Sequence, residues 1–278
     1  MEIREPRSQA PLVGQPTSAP PLIDIVVVSY NCRPYLYQTL VAVRQSVAHL
    51  QAAHGGTHPV AAVWVVDNNS PDGCAQMVRA QFPDVRLIAS PENLGFSRAN
   101  NLAIREGAAP WVLLLNPDTI LAPETLAEAL AFANAHPEAG GLGLKQVSPR
   151  GRFMPESKRG NPTPWVAFYK LVGLSALFPR SPRFGAYYQR HIGENEVGAV
   201  PILSGAAMLL RRSVLDEIGL LDERFFLYGE DIDLSYRVTL GGYKNYYFAG
   251  TKIIHYKGES TKKGSLNYVR VFYNAMII

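Results

Sequence analysis

Cysteine is scarce in this chain: Cys32 and Cys74 are the only two, and no CxxC spacing occurs. That excludes a disulfide framework and a cysteine-rich zinc site, and it fits a reducing compartment. Long apolar runs are also missing, since none approaches the roughly 18 residues needed to span a bilayer. The amino terminus has no basic start followed by an apolar run, so no secretory leader is read there. These absences point to a cytoplasmic protein, either soluble or lying on the cytoplasmic face of a membrane. Charge of one sign is not concentrated: 27 Lys+Arg against 23 Asp+Glu give a net charge of +4. With no Lys/Arg-rich block and no basic–aromatic stripe, a nucleic-acid partner is not expected. The mild excess suits an anionic small molecule or an anionic lipid surface. Internal repeats are absent as well.

Three loops that commonly bind phosphate or do acyl chemistry are missing. The turn after the first apolar run reads SYNCRPY, without glycine, and the later GGLGLKQ lacks the third glycine of a dinucleotide fingerprint. There is no Walker A sequence and no GxSxG elbow. Any diphosphate must be held by other groups.

What is present is an ordinary globular balance, 47% hydrophobic and 18% charged over 278 residues, enough for a substantial core. Residues 1–22 carry Pro6, Pro11, Pro16, Pro20 and Pro21 among polar residues and read as a disordered tail. From residue 23 strands and helices alternate. IDIVVVS (23–29), AAVWVV (61–66), VRLIA (85–89) and WVLLL (111–115) have the length and composition of buried strands. Helical spacing covers Leu36, Leu40, Val43, Val47 and Leu50, then about 72–82, 97–107 and 123–135. This pattern predicts an α/β fold whose mainly parallel sheet is flanked by helices, with ligands beyond the strands' carboxyl ends. A single domain is expected over 23–278, with a nucleotide half at about 23–145 and an acceptor half at about 146–278. After 145 the pattern loosens into a long Pro/Gly/Lys/Arg-rich loop, and order returns at VPILSGAAMLLRR (200–212).

Polar residues follow the strands. Tyr30 and Asn31 follow the first, Asp67 and Asn69 the second, and Asn116 and Asp118 the fourth. Read from the residues alone, Asp118 is either a carboxylate delivered to the sheet edge for Mg²⁺ or Mn²⁺, or a cap for the helix near Pro123. Asp67 offers a nucleobase contact or a turn. In ENLGFSRANN, Asn93, Gly95 and Asn100 offer contacts to ribose or sugar, with Gly95 allowing close backbone approach. DERFFLYGEDIDLSYR (222–237) crowds Glu230, Asp231 and Asp233, a costly arrangement unless a cation, a helix N-terminus or a chemical task offsets it. Asp233 and Arg237, four apart, are expected to pair on a helix.

VVVSYN, VVDNNS, NLGFSRANN, LLLNPD, FFLYGEDIDLSYR and HYKGES occur in that order over about residues 23–260. Together they resemble the family 2 glycosyltransferases, in particular a rhamnosyltransferase-like branch with Asn-Pro-Asp in place of Asp-x-Asp. The resemblance implies a GT-A fold and a sugar transferred from a dTDP- or UDP-linked donor to a glycan or lipid-linked hydroxyl. It implies that Tyr30 and Asp67 contact base and ribose, and that Asn116 and Asp118 face ribose, diphosphate and metal. His255 would be the second ligand of a divalent Mg²⁺ or Mn²⁺. Asp231 would be the catalytic base beside Glu230, whose charge, with that of Asp233, would favour proton uptake. Asn116 departs from the family, where Asp is common, and removes one anionic charge beside the metal. Lys257, Lys262 and Lys263 follow as a lid over the diphosphate or a solvated loop. A sugar nucleotidyltransferase would need a Gly-rich basic loop where SYNCRPY stands. A non-catalytic sugar-binding module has no need of Asp231, and a processive synthase would add membrane spans and a Gln-x-x-Arg-Trp motif.

Overall fold

A computed structural model of the chain describes residues 19–56 and 58–257. The sheet forms because alternate residues of its central strands enter two different cores. In β1 (Ile23–Ser29), Ile23, Ile25 and Val27 face one core while Val26 and Val28 face the other. In β4 (Trp111–Leu115), Leu113 and Leu115 join the first core, and Val112 and Leu114 the second. A strand buried on both faces reads as a continuous apolar run, which is why IDIVVVS and WVLLL carry almost no polar residues.

The first core is closed by α1 (Arg33–His54), α2 (Cys74–Gln81) and α4 (Thr125–Ala135), and α3 (Gly95–Glu106) closes the second. Pro34 sits in the first turn of α1, and Gly55, in the left-handed region at φ 59°, ends it. β2 (Ala61–Asp67) and β3 (Arg86–Ala89) extend the sheet on one side of β1. On the far side of β4 come β5 (Thr119–Leu121), β6 (Ala139–Val147), β7 (Gly198–Ala199), β8 (Ala207–Arg211) and β9 (Lys244–His255). The strand order is β3-β2-β1-β4-β8-β6-β9-β5, with β7 on β9.

Parallel pairing unites β3, β2, β1 and β4, while β8 runs antiparallel between β4 and β6. The sheet is therefore mixed, and its parallel character resides in the first four strands plus the β6–β9 pair. Two antiparallel steps across β8 restore direction. As a result the carboxyl ends of β1, β2, β3, β4, β6 and β9 lie along one edge, where β8 begins.

GGLGLKQ, which lacks the third glycine of a dinucleotide fingerprint, lies in β6, a strand between β8 and β9 in the sheet. A Cβ on Gly140 would come within 2.7 Å of Val238 Cγ1, and one on Gly141 within 2.6 Å of Leu203 Cδ1. The glycines admit side chains directly onto the strand backbone. The segment that follows is a loop, as expected, but it carries two short helices, α5 (Pro164–Leu171) and α6 (Leu174–Leu177). α7 (Arg212–Ile218) follows β8, and α8 (Glu230–Leu240) packs its Leu234 into the second core. Among the described residues no helix is long and apolar enough to cross a membrane.

Candidate active site

Along the common carboxyl edge lies a cleft of about 410 Å³. Of the sequence-predicted residues, Tyr30, Asn93, Gly95, Asn116, Asp118, Glu230, Asp231 and His255 line it, with Lys257 at the same wall. Asn31, Asp67, Asn69 and Asn100 do not. Lys262 and Lys263 lie outside the described residues, as do most of the amino-terminal tail and the chain after 257.

The residues outside the cleft build its frame. Asp67 is buried, where its Oδ1 accepts from Ser29 Oγ (3.1 Å) and its Oδ2 from the Ser70 backbone N–H (3.2 Å). These two bonds brace the loop after β2, and Asp67 stands outside the lining of the cleft. Asn31 and Asn69 are exposed turn residues in the left-handed region, at φ 52° and 61°, which Asn tolerates well. Asn100 donates from Nδ2 to the Phe96 carbonyl one turn back, at 2.9 Å, and stays inside α3. Gly95 does need its missing side chain, but the close neighbour is protein. A Cβ there would meet the Phe226 ring at 2.7 Å, and the adjacent Phe96 N–H donates to the Phe226 carbonyl at 2.7 Å. Asn68, overlooked in the sequence, lines the cleft and donates from Nδ2 to the Gly95 carbonyl at 2.9 Å.

One end of the cleft is formed by Asp118 and His255. β4 delivers the first and the end of β9 the second, and the β5–β9 ladder sets them side by side through the pairing of Thr119 with His255. His255 Nε2 stands 3.4 Å from Asp118 Oδ1, and both side chains are buried. The other ring nitrogen, Nδ1, lies 3.0 Å from Gln146 Oε1. An amide oxygen accepts only, so with Nδ1 as its donor the neutral ring would turn the Nε2 lone pair toward Asp118. Asp118 Oδ1 has no hydrogen-bond partner. Two lone-pair-bearing atoms facing each other in a buried place suit a bound cation. Mg²⁺ and Mn²⁺ take one or two such protein groups and complete their shells with water and phosphate oxygens, so this donor pair fits either ion. Among the described residues no cluster of three or more His, Cys, Asp or Glu is placed to hold a metal by itself. Gln146 was not singled out in the sequence, although it stands at the polar end of the overlooked strand β6.

The other end is the first turn of α8. Gly229, left-handed at φ 92°, starts the helix and puts Glu230, Asp231 and Asp233 at its positive end. Two arginines complete the compensation. Asp233 Oδ2 accepts from Arg237 Nη2 (2.6 Å) and Nε (2.9 Å), the expected pair. Asp231 Oδ2 accepts from Arg159 and from the Gly205 N–H (3.2 Å), both contacts falling on the same oxygen. Arg159 lies in the segment read only as a loop, and a lone basic residue among many gave it no distinguishing signal.

Asp231 and Asp233 each form an ion pair with an arginine, and Glu230 forms none among the described residues. Burial, then the neighbouring Asp231 charge, pushes the Glu230 carboxyl up to about 8. Its Oε2 is buried without a partner, as suits a carboxyl that keeps its proton near neutrality. At the mouth, Lys257 pairs with Glu156.

Comparison with known proteins agrees with this geometry. The chain is 30% identical over 268 residues to an N-acetylglucosaminyl-diphospho-decaprenol L-rhamnosyltransferase of Mycobacterium tuberculosis, covering 92% of this chain and 83% of that one. Its fold matches a mannosyltransferase from Pyrobaculum calidifontis solved with GDP-Man and Mn²⁺, with a TM-score of 0.59 at 20% identity over 94% of this chain and 66% of that one. It also matches S. aureus TarS 1–349 solved with UDP-GlcNAc, with a TM-score of 0.56 at 18% identity over 92% and 65% of the respective chains. The model for Glycosyl transferase family 2 matches residues 24–219, most of the chain, so this protein belongs to that family and is a glycosyltransferase with the GT-A fold.

Proposed function

We propose that the chain is an inverting, divalent-metal-dependent glycosyltransferase that moves a sugar from a dTDP- or UDP-linked donor to a hydroxyl of a lipid-linked or glycan acceptor. The observation carrying this reading is the pairing, in one cleft, of an unsatisfied Asp118–His255 pair with Asp231 at a helix N-terminus. The relative from M. tuberculosis is named for L-rhamnose transfer to a decaprenyl-diphosphate-linked sugar, which makes dTDP-L-rhamnose and a polyprenyl acceptor the first pair to test. Two free cysteines fit action at the cytoplasmic face.

Asp118 and His255 would hold Mg²⁺ or Mn²⁺, which neutralises charge on the departing diphosphate. Tyr30, exposed at the margin, offers its ring to the base, while Asn93 and Asn116 offer polar contacts to ribose or sugar. Asp231 takes the proton from the acceptor hydroxyl. Arg159 and the Gly205 N–H fix Oδ2, and Oδ1 serves as the accepting atom. The acceptor oxygen forms a bond to the anomeric carbon as the bond from that carbon to the diphosphate oxygen breaks on the opposite face. The nucleoside diphosphate leaves with the electron pair. The transition state is oxocarbenium-like, as in glycoside hydrolysis.

Titration with dTDP, UDP, GDP and ADP in the presence of Mg²⁺ tests the donor class. A pyrimidine nucleotide is expected to bind tightest and to lose affinity when EDTA is added. GDP binding tighter than both pyrimidine nucleotides would overturn the donor assignment while leaving sugar transfer in place.

A further inference from the structure

Six large apolar residues stand exposed on one short stretch: Trp165, Phe168, Leu171, Val172, Leu177 and Phe178. Trp165 is 69% exposed, Leu171 86% and Leu177 69%, although each belongs to a helix, where an apolar residue normally finds a core. The stretch is also of one charge sign. Arg180, Arg183 and Arg190 are exposed on it, Lys158 is buried and Arg159 is turned in toward Asp231, and residues 157–193 hold no Asp or Glu.

The segment is built rather than slack. Tyr169 meets Phe184 edge-on at 5.0 Å, and Phe178 meets Phe184 at 5.7 Å. Arg183 donates from Nε to Tyr169 Oη at 3.0 Å. Gly160 anchors the base of the segment, its N–H donating to the Tyr187 carbonyl at 3.1 Å. Aromatic and aliphatic side chains held outward beside exposed arginines are the composition of an element lying in a membrane interface.

We infer that α5 and α6 form a membrane-interface anchor for an anionic bilayer, setting the acceptor side of the cleft against the lipid surface. The charge pattern selects the occupant. A second copy docking by a two-fold axis would bring two acid-free basic patches together. Residues 258–278 supply no counter-charge, with Lys262, Lys263 and Arg270 against Glu259. Anionic headgroups do supply it, and the acyl boundary takes the apolar side chains. Position supports the same occupant, because Arg159, next to the segment's start, holds Asp231 in the cleft. The inference rests on the lipid-linked acceptor proposed above only for its purpose. Its test uses neither donor nor acceptor, so the two can fail separately.

Trp165 supplies the probe, since the other two tryptophans, Trp64 and Trp111, are buried. Adding vesicles of phosphatidylcholine with phosphatidylglycerol to the 278-residue chain should shift Trp165 emission to the blue and sediment the protein. Pure phosphatidylcholine should do so far less, and raised salt should weaken the effect. Phe168→Ser with Leu171→Ser should lower the vesicle partition coefficient at least about tenfold. Arg180→Gln should lower it about fivefold on anionic vesicles only. Both variants should keep wild-type nucleotide binding, which shows that they fold. Absence of wild-type partitioning, or equal partitioning onto neutral and anionic vesicles, would overturn the inference. So would concentration-dependent self-association that the same variants abolish, since the face would then belong to a second copy.

Discussion

Asp24 and Asp118 are buried alike, 1% and 2% exposed, near opposite ends of the neighbouring strands β1 and β4. Their surroundings differ. Asp24 Oδ1 accepts from Trp64 Nε1 at 3.3 Å, and its Oδ2 from the Ala109 N–H and from Arg212 Nη2, each at 2.8 Å. Arg212 is itself committed to the carbonyls of Ala109 (2.6 Å) and Ile104 (3.0 Å). Asp118 has an oxygen with no donor at all. A buried anion whose contacts are complete belongs to the fold, and one left incomplete is waiting for something that carries charge. Burial alone does not separate the two roles; the hydrogen-bond inventory does.

Asp231 is the case that tests this distinction hardest, because it has an arginine, as Asp24 does, yet sits in the cleft. Asp231→Asn keeps the shape and removes proton-accepting capacity, so turnover should fall about 10²–10⁴-fold, the usual span for a general base. Nucleotide affinity should hardly change. Initial rates at saturating donor, beside a nucleotide titration, make the check. Near-normal turnover would show that its arginine makes Asp231 structural after all, and attention would pass to Glu230.

The direct exchange comes next. Asp24→Ala leaves Arg212 buried without its partner and should cost roughly 3–5 kcal/mol of folding stability, read by urea denaturation. Turnover per folded molecule should stay at the wild-type level. Asp118→Ala should leave metal-free stability within about 0.5 kcal/mol of wild type or above it, because it removes an uncompensated buried group. It should also abolish both the thermal shift that Mn²⁺ gives the wild type and the turnover that Mn²⁺ restores after EDTA. Equal destabilisation by the two substitutions would dissolve the comparison. Full wild-type turnover after exhaustive chelation would pass the diphosphate to basic residues such as Lys257.

Gln146 gives a finer reading of the same end. It touches His255 and would not touch the ion, so Gln146→Leu should weaken Mn²⁺ binding about 10–100-fold, the usual effect of losing a ligand's orienting partner. Calorimetric titration with Mn²⁺ measures it. An unchanged affinity would mean that the ring needs no support from β6.

These residues also show what the sequence made legible. Strands β1, β2 and β4 were plain because burial on both faces leaves a continuous apolar run, and the edge they end on followed from parallel pairing. β6 was hidden because its glycines answer to Val238 and Leu203, which are distant in sequence. The antiparallel insertion of β8 was hidden for a related reason: strand order is a tertiary fact that no local pattern encodes. Asp118, His255 and Asp231, picked out as motif residues at element ends, line one cleft in the structure. Asp67 and Asn100 share that polarity but are consumed by neighbours, and a residue type does not reveal whether its lone pairs are already occupied. Gln146 and Arg159 act through contacts 109 and 72 residues away, beyond any spacing rule.

The smallest effect concerns Glu230, which stands between the two classes: buried like Asp24, incomplete like Asp118, and relieved by a proton rather than a cation. Its carboxyl has an ordinary value near 4.5 and is pushed up to about 8, by burial first and by Asp231 second. Below about 4.5 it is protonated in the folded and the unfolded chain alike, and it sets no difference between them. Between 4.5 and 8 the unfolded chain gives up the proton while the folded chain keeps it, so rising pH favours unfolding throughout that window. Above 8 the group is ionised in both states and the full cost of burying the charge remains. Glu230→Gln is neutral at every pH and keeps the shape, so the variant should lack this part of the decline. Its melting temperature, compared with that of the wild type in matched buffers, should gain by a few degrees as the pH is raised from 5 to 8. A difference that stays flat across the window would show that the Glu230 carboxyl titrates alike in the folded and the unfolded chain.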